Sequence, residues 1–281
     1  MAKLIAALAT LSVAACAQSS SVCQPLPGAD ALWSKPGVRF ILLGEMHGTT
    51  EAPALFRDLV CAAAAGKRPV VVGVERSSRE QAAIDTFMRA DGHAAAVDAL
   101  LAERGWGGFD GRSSRAMLTL LEALRILKLE GKVSEVLALD GSRPDDPDAV
   151  REQCMASALI AAAGRHPNAL VLALTGNVHA SKRLIEGFGS YPFMAMLLPA
   201  TQTISLFVAD KGGEAWTQEG GCGPHKLRST GGDRRGITLS ETTSPLPGFD
   251  GTASTGLAAT ASTPAIPNAP PPPACSVVRM R

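Results

Sequence analysis

The sequence predicts an α/β fold with a mainly parallel sheet and helices on both faces. Apolar runs typical of strands buried on both faces alternate with segments of helical periodicity. This alternation indicates parallel strands, because each return to a parallel strand needs a crossover. The 281 residues are 46% hydrophobic and 19% charged, which is the composition of a globular protein with a sizeable core.

Six apolar segments are predicted as strands. Most are continuous apolar runs, and "PVVVGVE" is also rich in β-branched residues, which favour strands. The six segments are 38–44, 69–75, 136–140, 169–176, 193–198 and 203–209.

Helices are expected between these strands, and several begin at residues that favour a helix start. Thr50 is a candidate cap for the first, and Ser113 or Ser114 for the most strongly periodic one. Asp146 precedes a proline and a second aspartate, which suit the first helical turn. The helical segments are about 51–65, from about 79, 93–104, 115–131, from about 146 to 165, and about 180–187. The Gly-rich, polar residues 212–235 are expected to form a loop.

The chain is predicted to divide into a lipoprotein signal peptide (1–16), a polar tether (17–36), an α/β domain (37–266) and a disordered Pro-rich tail (267–281). The first segment has one lysine and then an uncharged apolar run, which is too short for a permanent membrane span. It ends in "VAAC", which resembles the bacterial lipobox, so Cys16 is the expected lipidation site. Cleavage after Ala17 is the alternative and would release a soluble protein.

We therefore expect an exported bacterial lipoprotein on the periplasmic face of the outer membrane, held there by its lipid anchor only. Disulfides persist in that oxidising compartment. Beyond Cys16 the cysteines are odd in number, so at most two bridges can form within the chain. These cysteines are Cys23, Cys61, Cys154, Cys222 and Cys275. Cys61 and Cys154 lie in Ala-rich helical segments and are predicted to be buried free thiols.

The charge balance argues against nucleic-acid binding. Lys and Arg number 27 against 26 Asp and Glu, and aromatic residues make up only 4% of the chain. The sequence thus lacks both a basic surface and an aromatic stacking platform.

Polar side chains follow four of the predicted strands. They are Glu45 and His47 after the first strand, Glu75 at the end of the second, Asp140 at the end of the third, and Asn177 and His179 after the fourth. In an open parallel sheet, ligands bind outside the carboxyl ends of the strands. Each residue also has a structural alternative, such as a salt bridge between Glu75 and Arg76 or a turn at Asp140. Their convergence on one edge favours a shared site.

The common catalytic motifs G-x-S-x-G, GxxxxGK[ST], GxGxxG and HExxH are absent. Two chemistries remain for the cluster. Its side chains could ligate a divalent metal that activates water, with Glu45, His47, Glu75 and His179 as ligands. Alternatively, a histidine held by a carboxylate could act as a general base without a metal.

Two motifs carry a resemblance to a known superfamily. "GEMH" (44–47) and "GNVHA" (176–180), with Glu75 between them, resemble motifs of the exported haem-binding, ChaN-like branch of the superfamily that includes erythromycin esterase and the Tiki/TraB proteins. "REQCMA" (151–156) is similar to a family helix start, with Glu152 in place of an aspartate. "DGRSS" (110–114) is also similar to a segment of bacterial members. The resemblance covers about residues 38–210 and implies an α/β fold with a polar Glu/His pocket.

The resemblance implies two kinds of function. Erythromycin esterase-like members are hydrolases that use the equivalent glutamates and histidines, and Tiki-like members are metal-dependent proteases. ChaN-like lipoproteins bind haem through a tyrosine, whereas Tyr191, the single tyrosine here, lies outside the motif strands. Haem ligation would then need His47 or His179.

The leading hypothesis is a hydrolase acting on a small molecule or a peptide. His47 would be the base or a metal ligand, and His179 the acid or second ligand. The expected substrate-binding residues are Arg112, Arg115 and Arg151, which would hold an anionic group, together with Asn177 and Asp140. The rival hypothesis is a non-catalytic lipoprotein that binds haem or a metal in iron or haem uptake.

Overall fold

A computed structural model describes residues 23–218, 220–240, 242, 244–267 and 275. The predicted signal peptide with Cys16, the start of the tether, and the predicted tail other than residues 267 and 275 lie outside the described residues. No helix in the described part of the chain is both long enough and apolar enough to cross a membrane.

The described residues form nine strands and seven α-helices. The strands are β1 (Phe40–Glu45), β2 (Val70–Ser77), β3 (Glu135–Asp140), β4 (Leu170–Gly176), β5 (Thr203–Ala209), β6 (Lys211–Thr217), β7 (Gly223–Ser229), β8 (Gly236–Thr238) and β9 (Gly251–Ser254). The helices are α1 (Asp30–Ser34), α2 (Glu51–Ala64), α3 (Gln81–Arg89), α4 (Ala94–Leu101), α5 (Arg115–Leu129), α6 (Asp148–Arg165) and α7 (Asn177–Ala180).

Seven of the strands form one sheet in the order β3-β2-β4-β1-β5-β9-β8. Every neighbouring pair in it is parallel except β8 and β9, while β6 and β7 form a separate antiparallel hairpin. The centre of the sheet is β4 beside β1, in a register that pairs Glu45 with Gly176. The mainly parallel sheet confirms the predicted fold class.

Alternate residues of the central strands pack on opposite faces of the sheet. Ile41 and Leu43 of β1 belong to a core shared with α2, α3 and α5, whereas Phe40 and Leu42 pack with α6 on the other face. Because side chains alternate along a strand, a strand covered on both faces must be apolar throughout. This explains the uninterrupted apolar runs and confirms that helices cover both faces.

Three sequence-predicted elements are wrong. Residues 193–198 do not form a strand, because Met194–Leu197 is a 3₁₀ turn whose Met194 packs into the core. The helix expected at 180–187 is replaced by the short α7, which ends at Ala180 before an irregular segment. The loop expected at 212–235 contains most of the β6–β7 hairpin, which its glycines and short polar residues concealed.

The domain begins earlier than residue 37. Leu26, Ala29 and Leu32, within the predicted tether, are buried in the core that also contains α2. A disulfide joins Cys23 to Cys61 of α2, so Cys61 is not the free thiol that was predicted. Residues 23–36 are therefore part of the folded domain, because their apolar side chains and this bridge hold them against it.

A second disulfide joins Cys222, in the connection between β6 and β7, to Cys275. Among the described cysteines, only Cys154 is a free thiol, as predicted, and it is half-buried. The two bridges match the predicted maximum.

Candidate active site

Glu45 and His47 stand at the carboxyl end of the central strand β1. Glu45 is 4% exposed, and its Oε1 lies 3.1 Å from Nδ1 of His47. The chain turns at Gly48, whose φ is +85°, and the backbone of Trp216 packs so closely there that no Cβ would fit. The Gly48 carbonyl accepts a hydrogen bond from the Trp216 amide (2.9 Å). Gly48 is thus required both for its conformation and for this contact, which places the β6–β7 hairpin beside His47.

Glu75 is positioned by a break in the regular pairing of β2 with β3. The register shifts between Val74 and Ser77, where three steps along β2 match two along β3. A bulge of this kind re-aims side chains at a strand end. Glu75 points toward the neighbouring strand β4, where its Oε2 accepts a hydrogen bond from the Gly176 amide (2.7 Å).

The buried carboxylate of Glu75 contacts both candidate imidazoles. Its Oε2 lies 3.3 Å from Nε2 of His47, and its Oε1 lies 3.5 Å from Nε2 of His179. The Oε1 atom also accepts hydrogen bonds from Arg151 (2.6 Å) and Arg112 (3.1 Å). One buried carboxylate therefore connects residues from four different segments of the chain.

The two arginines are each held by a second carboxylate. Arg112 donates from Nε to Asp110 (2.8 Å), and Arg151 donates from Nε to Asp140 (2.7 Å). Asp140 therefore orients Arg151, in addition to the turn role that was considered from the sequence. A guanidinium group that joins two carboxylates in a fixed fork geometry is well suited to hold both in place.

Arg76 does not pair with Glu75, contrary to the salt bridge considered from the sequence. It forms a buried ion pair with Glu80 and stacks on Trp106, with 4.2 Å from the guanidinium carbon to the ring centroid. Its Nη1 donates to the carbonyl of Arg112 (2.8 Å). Arg76 thus anchors the loop that presents Arg112.

His179 is oriented by Glu152 of α6. Its Nδ1 lies 2.6 Å from Glu152 Oε1, while Glu152 Oε2 accepts from the Met194 amide (2.7 Å). Arg151, the preceding residue on the helix, donates to the opposite ring nitrogen, Nε2 (3.1 Å). The ring is therefore held at both nitrogens.

Burial and the ion pairs shift the pKa values of the cluster in opposite directions. Burial alone would lower the pKa of His47, but Glu75 and Glu45 together raise it to about 10. Burial alone would raise the pKa of Glu75. The charges and hydrogen bonds of the two imidazoles outweigh this effect of burial and hold the pKa of Glu75 well below its usual value. For Glu45 burial prevails and raises the pKa, against the hydrogen bond from His47.

Burial and nearby carboxylates also have opposite effects on the pKa of His179. Burial lowers its pKa, but the carboxylates of Glu75 and Glu152 raise it to about 9. The Arg151 guanidinium opposes protonation, because it donates to a ring nitrogen that must be unprotonated to accept. Of the two imidazoles, His47 is the more accessible, with 23% of its side chain exposed against 12% for His179.

The cluster forms part of the lining of a cavity of about 490 Å³. Met46, Val178, Ile185, Phe188 and Leu246 form an apolar wall, and Thr217 and Gln218 of the β6–β7 hairpin contribute polar groups. The remaining lining residues are Glu45, His47, Glu75, Asp110, Arg112, Arg151, Gly176, Asn177 and His179.

Two buried acceptor atoms of this lining have no donor in the described part of the chain. They are Oε2 of Glu45 and Oδ1 of Asn177. Buried polar atoms are normally hydrogen-bonded, so these two acceptors are exceptions within the lining.

Arg115 does not lie at the site and is a wrong prediction. It is exposed at the start of α5 and does not line the cavity. The helix start turns its side chain toward solvent, whereas Arg112, three residues earlier, lies in the loop that faces Glu75. The adjacent Ser114 caps α5 by accepting a hydrogen bond from the Met117 amide.

The predicted metal ligands come together, but not in the geometry of a metal site. Among the described residues, no group of three or more His, Cys, Asp or Glu side chains could hold a metal ion. The reason is visible at Glu75, because Arg112 and Arg151 bind its Oε1 while His47 and the Gly176 amide occupy its Oε2. N–H donors occupy the positions where a cation would bind, so the structure contradicts the prediction of a four-ligand site formed by Glu45, His47, Glu75 and His179.

Glu152 and Asp110 also belong to the site, although neither was predicted as a site residue from the sequence. Both lie in segments that carried the resemblance, "REQCMA" and "DGRSS". They act through His179 and Arg112, and neither follows a predicted strand, so they lacked the strand-end position that marked the other site residues.

Comparison with solved structures identifies other proteins with a similar fold. The chain is similar to an erythromycin esterase variant, EreC, in its open conformation, with a TM-score of 0.59, 10% identity, and coverage of 83% of this chain and 94% of that one. The chain shares the erythromycin esterase fold. The predicted superfamily fold is confirmed, while its haem-binding ChaN-like branch stays a prediction.

Two further solved structures support the same fold. A Bacillus cereus protein gives a TM-score of 0.61 at 11% identity, covering 84% of this chain and 92% of that one. A succinoglycan biosynthesis protein gives 0.55 at 10% identity, covering 69% and 72%. No protein-family model matches the chain, and no curated protein matches it either. The low identities limit the likeness to the fold.

Proposed function

We propose that the protein is a hydrolase of carboxylic esters that works by proton transfer at His47. The observation that carries this proposal is the position of His47 between two carboxylates, Glu45 on Nδ1 and Glu75 on Nε2, at the lining of a cavity. A carboxylate that orients an imidazole is the usual arrangement of a general base. The fold shared with an erythromycin esterase supports the choice of esters as the first substrate class.

The proton moves at Nε2 of His47. In the resting state at neutral pH the ring is an imidazolium, because its pKa is about 10, and it donates to both carboxylates. Loss of the Nε2 proton leaves the tautomer that still donates from Nδ1 to Glu45. That Nε2 then takes a proton from the attacking water and returns it to the leaving alcohol.

Cationic groups that line the cavity supply stabilisation of the tetrahedral oxyanion. Arg112 and Arg151 both reach the cavity and are fixed by carboxylates on their far sides. Donors fixed before the reaction stabilise developing charge without a reorganisation cost. His179, held by Glu152 and Arg151, is a positioning residue that helps to fix Glu75 and Arg151 beside His47.

We assign the chemistry to these residues rather than to a metal, on the basis of the donor set. Two guanidinium groups already occupy the carboxylate that the imidazoles share, and placing a divalent cation there would add charge repulsion. Activity that survives extensive dialysis against a chelator is therefore expected.

The experiment is a hydrolysis screen with uncharged 4-nitrophenyl esters, using the purified chain before and after chelator treatment. Hydrolysis that persists without metal and is lost in His47→Asn supports the proposal. His93→Asn is the matched control, since the His93 side chain is exposed and pairs with Asp91, away from the cavity lining. Undetectable hydrolysis in the wild-type protein, or equal rates in wild type and His47→Asn, would contradict it.

Haem binding remains the second candidate, because the apolar wall lies beside a partly exposed imidazole. Iron ligation would require Nε2 of His47 or His179 to leave Glu75. Titration with haemin tests this directly. A Soret shift that His47→Asn or His179→Asn abolishes favours haem binding, and an unchanged spectrum at micromolar haemin excludes it.

We also propose that the protein is exported and anchored by a lipid on Cys16, at the periplasmic face of the outer membrane. The two disulfides support an oxidising compartment. Metabolic labelling with a fatty acid tests the anchor: label in the wild type and not in Cys16→Ser is expected, and an unlabelled wild-type protein contradicts the anchor.

A further inference from the structure

The apolar wall of the cavity (Met46, Val178, Ile185, Phe188 and Leu246) lies next to the charged cluster. Two of its members are unusually accessible for their type, with Phe188 54% and Met46 46% exposed. Met46 separates Glu45 from His47 in the sequence, so the reactive motif itself contributes to the wall. An apolar surface next to catalytic groups is a typical feature of a small-molecule site.

The charged part of the lining offers little to a charged ligand. Arg112 already contacts Asp110 and Glu75, and Arg151 contacts Asp140 and Glu75. Each guanidinium is therefore already neutralised by carboxylates, so its remaining N–H groups can donate to a developing oxyanion but offer little net charge to a carboxylate or phosphate on the substrate. The sequence-based expectation that the arginines bind an anionic group is therefore disfavoured by their pairing.

The order of the groups along the cavity sets where an ester would lie. The His47 Nε2, Arg112 and Arg151 gather around Glu75. Phe188 and Ile185 belong to the irregular segment after α7, and Phe188 lies near His179 in the lining. A substrate with its carbonyl at the charged cluster would thus place one substituent against the apolar wall.

We infer that the substrate is an uncharged ester whose acyl chain is apolar and binds against the apolar wall. This inference rests on the proposed function. Water adds to the acyl carbon, the ester C–O bond breaks, and the products are a fatty or other apolar carboxylic acid and an alcohol. The proton that water loses reaches the alcohol through His47, so no further reactant is required.

The test measures kcat/KM on the full chain for 4-nitrophenyl esters from acetate to octanoate. Each methylene that enters the wall is expected to raise kcat/KM up to about fourfold, which corresponds to about 0.8 kcal/mol. Phe188→Ser should reduce this factor per methylene toward one. The matched control is Leu129→Ser, an equally exposed residue at the end of α5 that should leave the factor unchanged.

A second series tests the charge of the substrate and separates this inference from the proposed function. An ester whose acyl chain ends in a carboxylate should react at least tenfold more slowly than the neutral ester of equal length. Hydrolysis with no dependence on chain length, or a preference for the carboxylated ester, would overturn the inference while leaving the hydrolase intact.

If no ester is hydrolysed, the proposed function fails, and binding then decides only whether the wall holds an uncharged apolar chain. Calorimetric titration with uncharged alkyl methyl ketones then measures affinity against chain length. Affinity that rises with length in the wild type and less in Phe188→Ser supports the apolar site, and affinity independent of length removes it.

Discussion

Nε2 of His47 lies 3.3 Å from Oε2 of Glu75, and this contact joins the ends of β1 and β2 across β4. Since β4 lies between those strands, neither residue could reach the other if the side chain on β4 were large. The intervening position is Gly176, whose amide donates to Glu75 and where a Cβ would lie only 3.0 Å from Nε2 of His47. The glycine of "GNVHA" thus leaves room for the contact on which the proposed chemistry depends.

Glu75→Gln should reduce both the rate of hydrolysis and the stability of the folded protein. Loss of the charge leaves Arg112, Arg151 and two imidazoles without their common anion, and removing one partner of a buried ion pair costs about 3–5 kcal/mol. We expect kcat/KM to fall by about 100-fold or more, with a clear loss of stability in urea unfolding. The control is Glu130→Gln, an exposed residue paired with Lys132, which should change neither quantity. A Glu75→Gln variant as active and stable as the wild type would contradict the assignment of Glu75 as the common partner.

Arg112→Ala and Arg115→Ala should behave differently although they lie three residues apart. Arg112 contacts Glu75 and lines the cavity, whereas Arg115 is exposed outside it. Removal of one fixed donor typically costs about 10²–10³-fold in kcat, and we expect a loss of this order for Arg112→Ala only. Steady-state kinetics of the two variants side by side test this, and similar losses in both would contradict the oxyanion role.

Glu152→Gln should act through His179 rather than on the substrate. The carboxylate helps to raise the pKa of His179 to about 9, so its neutralisation should lower that pKa. NMR titration of the His179 ring should show this fall, and kcat should drop by about tenfold with little change in KM. An unchanged His179 titration would mean that Glu152 has only a structural role through the Met194 amide.

The stability of the protein should decrease at alkaline pH. The pKa values of His47 and His179 are raised from 6.5 to about 10 and about 9, so their stabilisation is complete below pH 6.5 and is lost as pH rises through those values. Because both imidazoles share Glu75, the combined loss is on the order of a few kcal/mol. Thermal unfolding should give a Tm several degrees lower at pH 9.5 than at pH 6.5. The His47→Asn/His179→Asn double variant should show a smaller decrease, and an equal one would contradict the stabilising role of the two imidazoles.

The sequence predicted the parallel sheet and its two covered faces, because uninterrupted apolar runs such as "VRFILLG" are typical of strands buried on both sides. It also placed Glu45, His47, Glu75 and His179 at one edge, since parallel strands end on the same side. It missed the 3₁₀ turn at Met194–Leu197, because a short apolar run fits a strand equally well.

The partners of the arginines were not predictable in the same way. Arg112 and Arg115 both follow a Gly-rich loop, and only the exact start of α5 separates the position that faces Glu75 from the exposed one. The β2 bulge that aims Glu75 also has no pattern of its own in the sequence. The sequence was also compatible with a metal site. Residue types alone do not show that Arg112 and Arg151 already donate to the Glu75 carboxylate.

The most direct test of the central claim is the dependence of kcat/KM on pH between 6.5 and 10 with a neutral ester. If His47 must lose its Nε2 proton to act as the base, log kcat/KM of the wild type rises with a slope of about one and levels off near the pKa of about 10. The residual activity of His47→Asn lacks this rise. A wild-type profile that is flat, or that falls as pH rises through 9–10, would contradict general-base catalysis by His47.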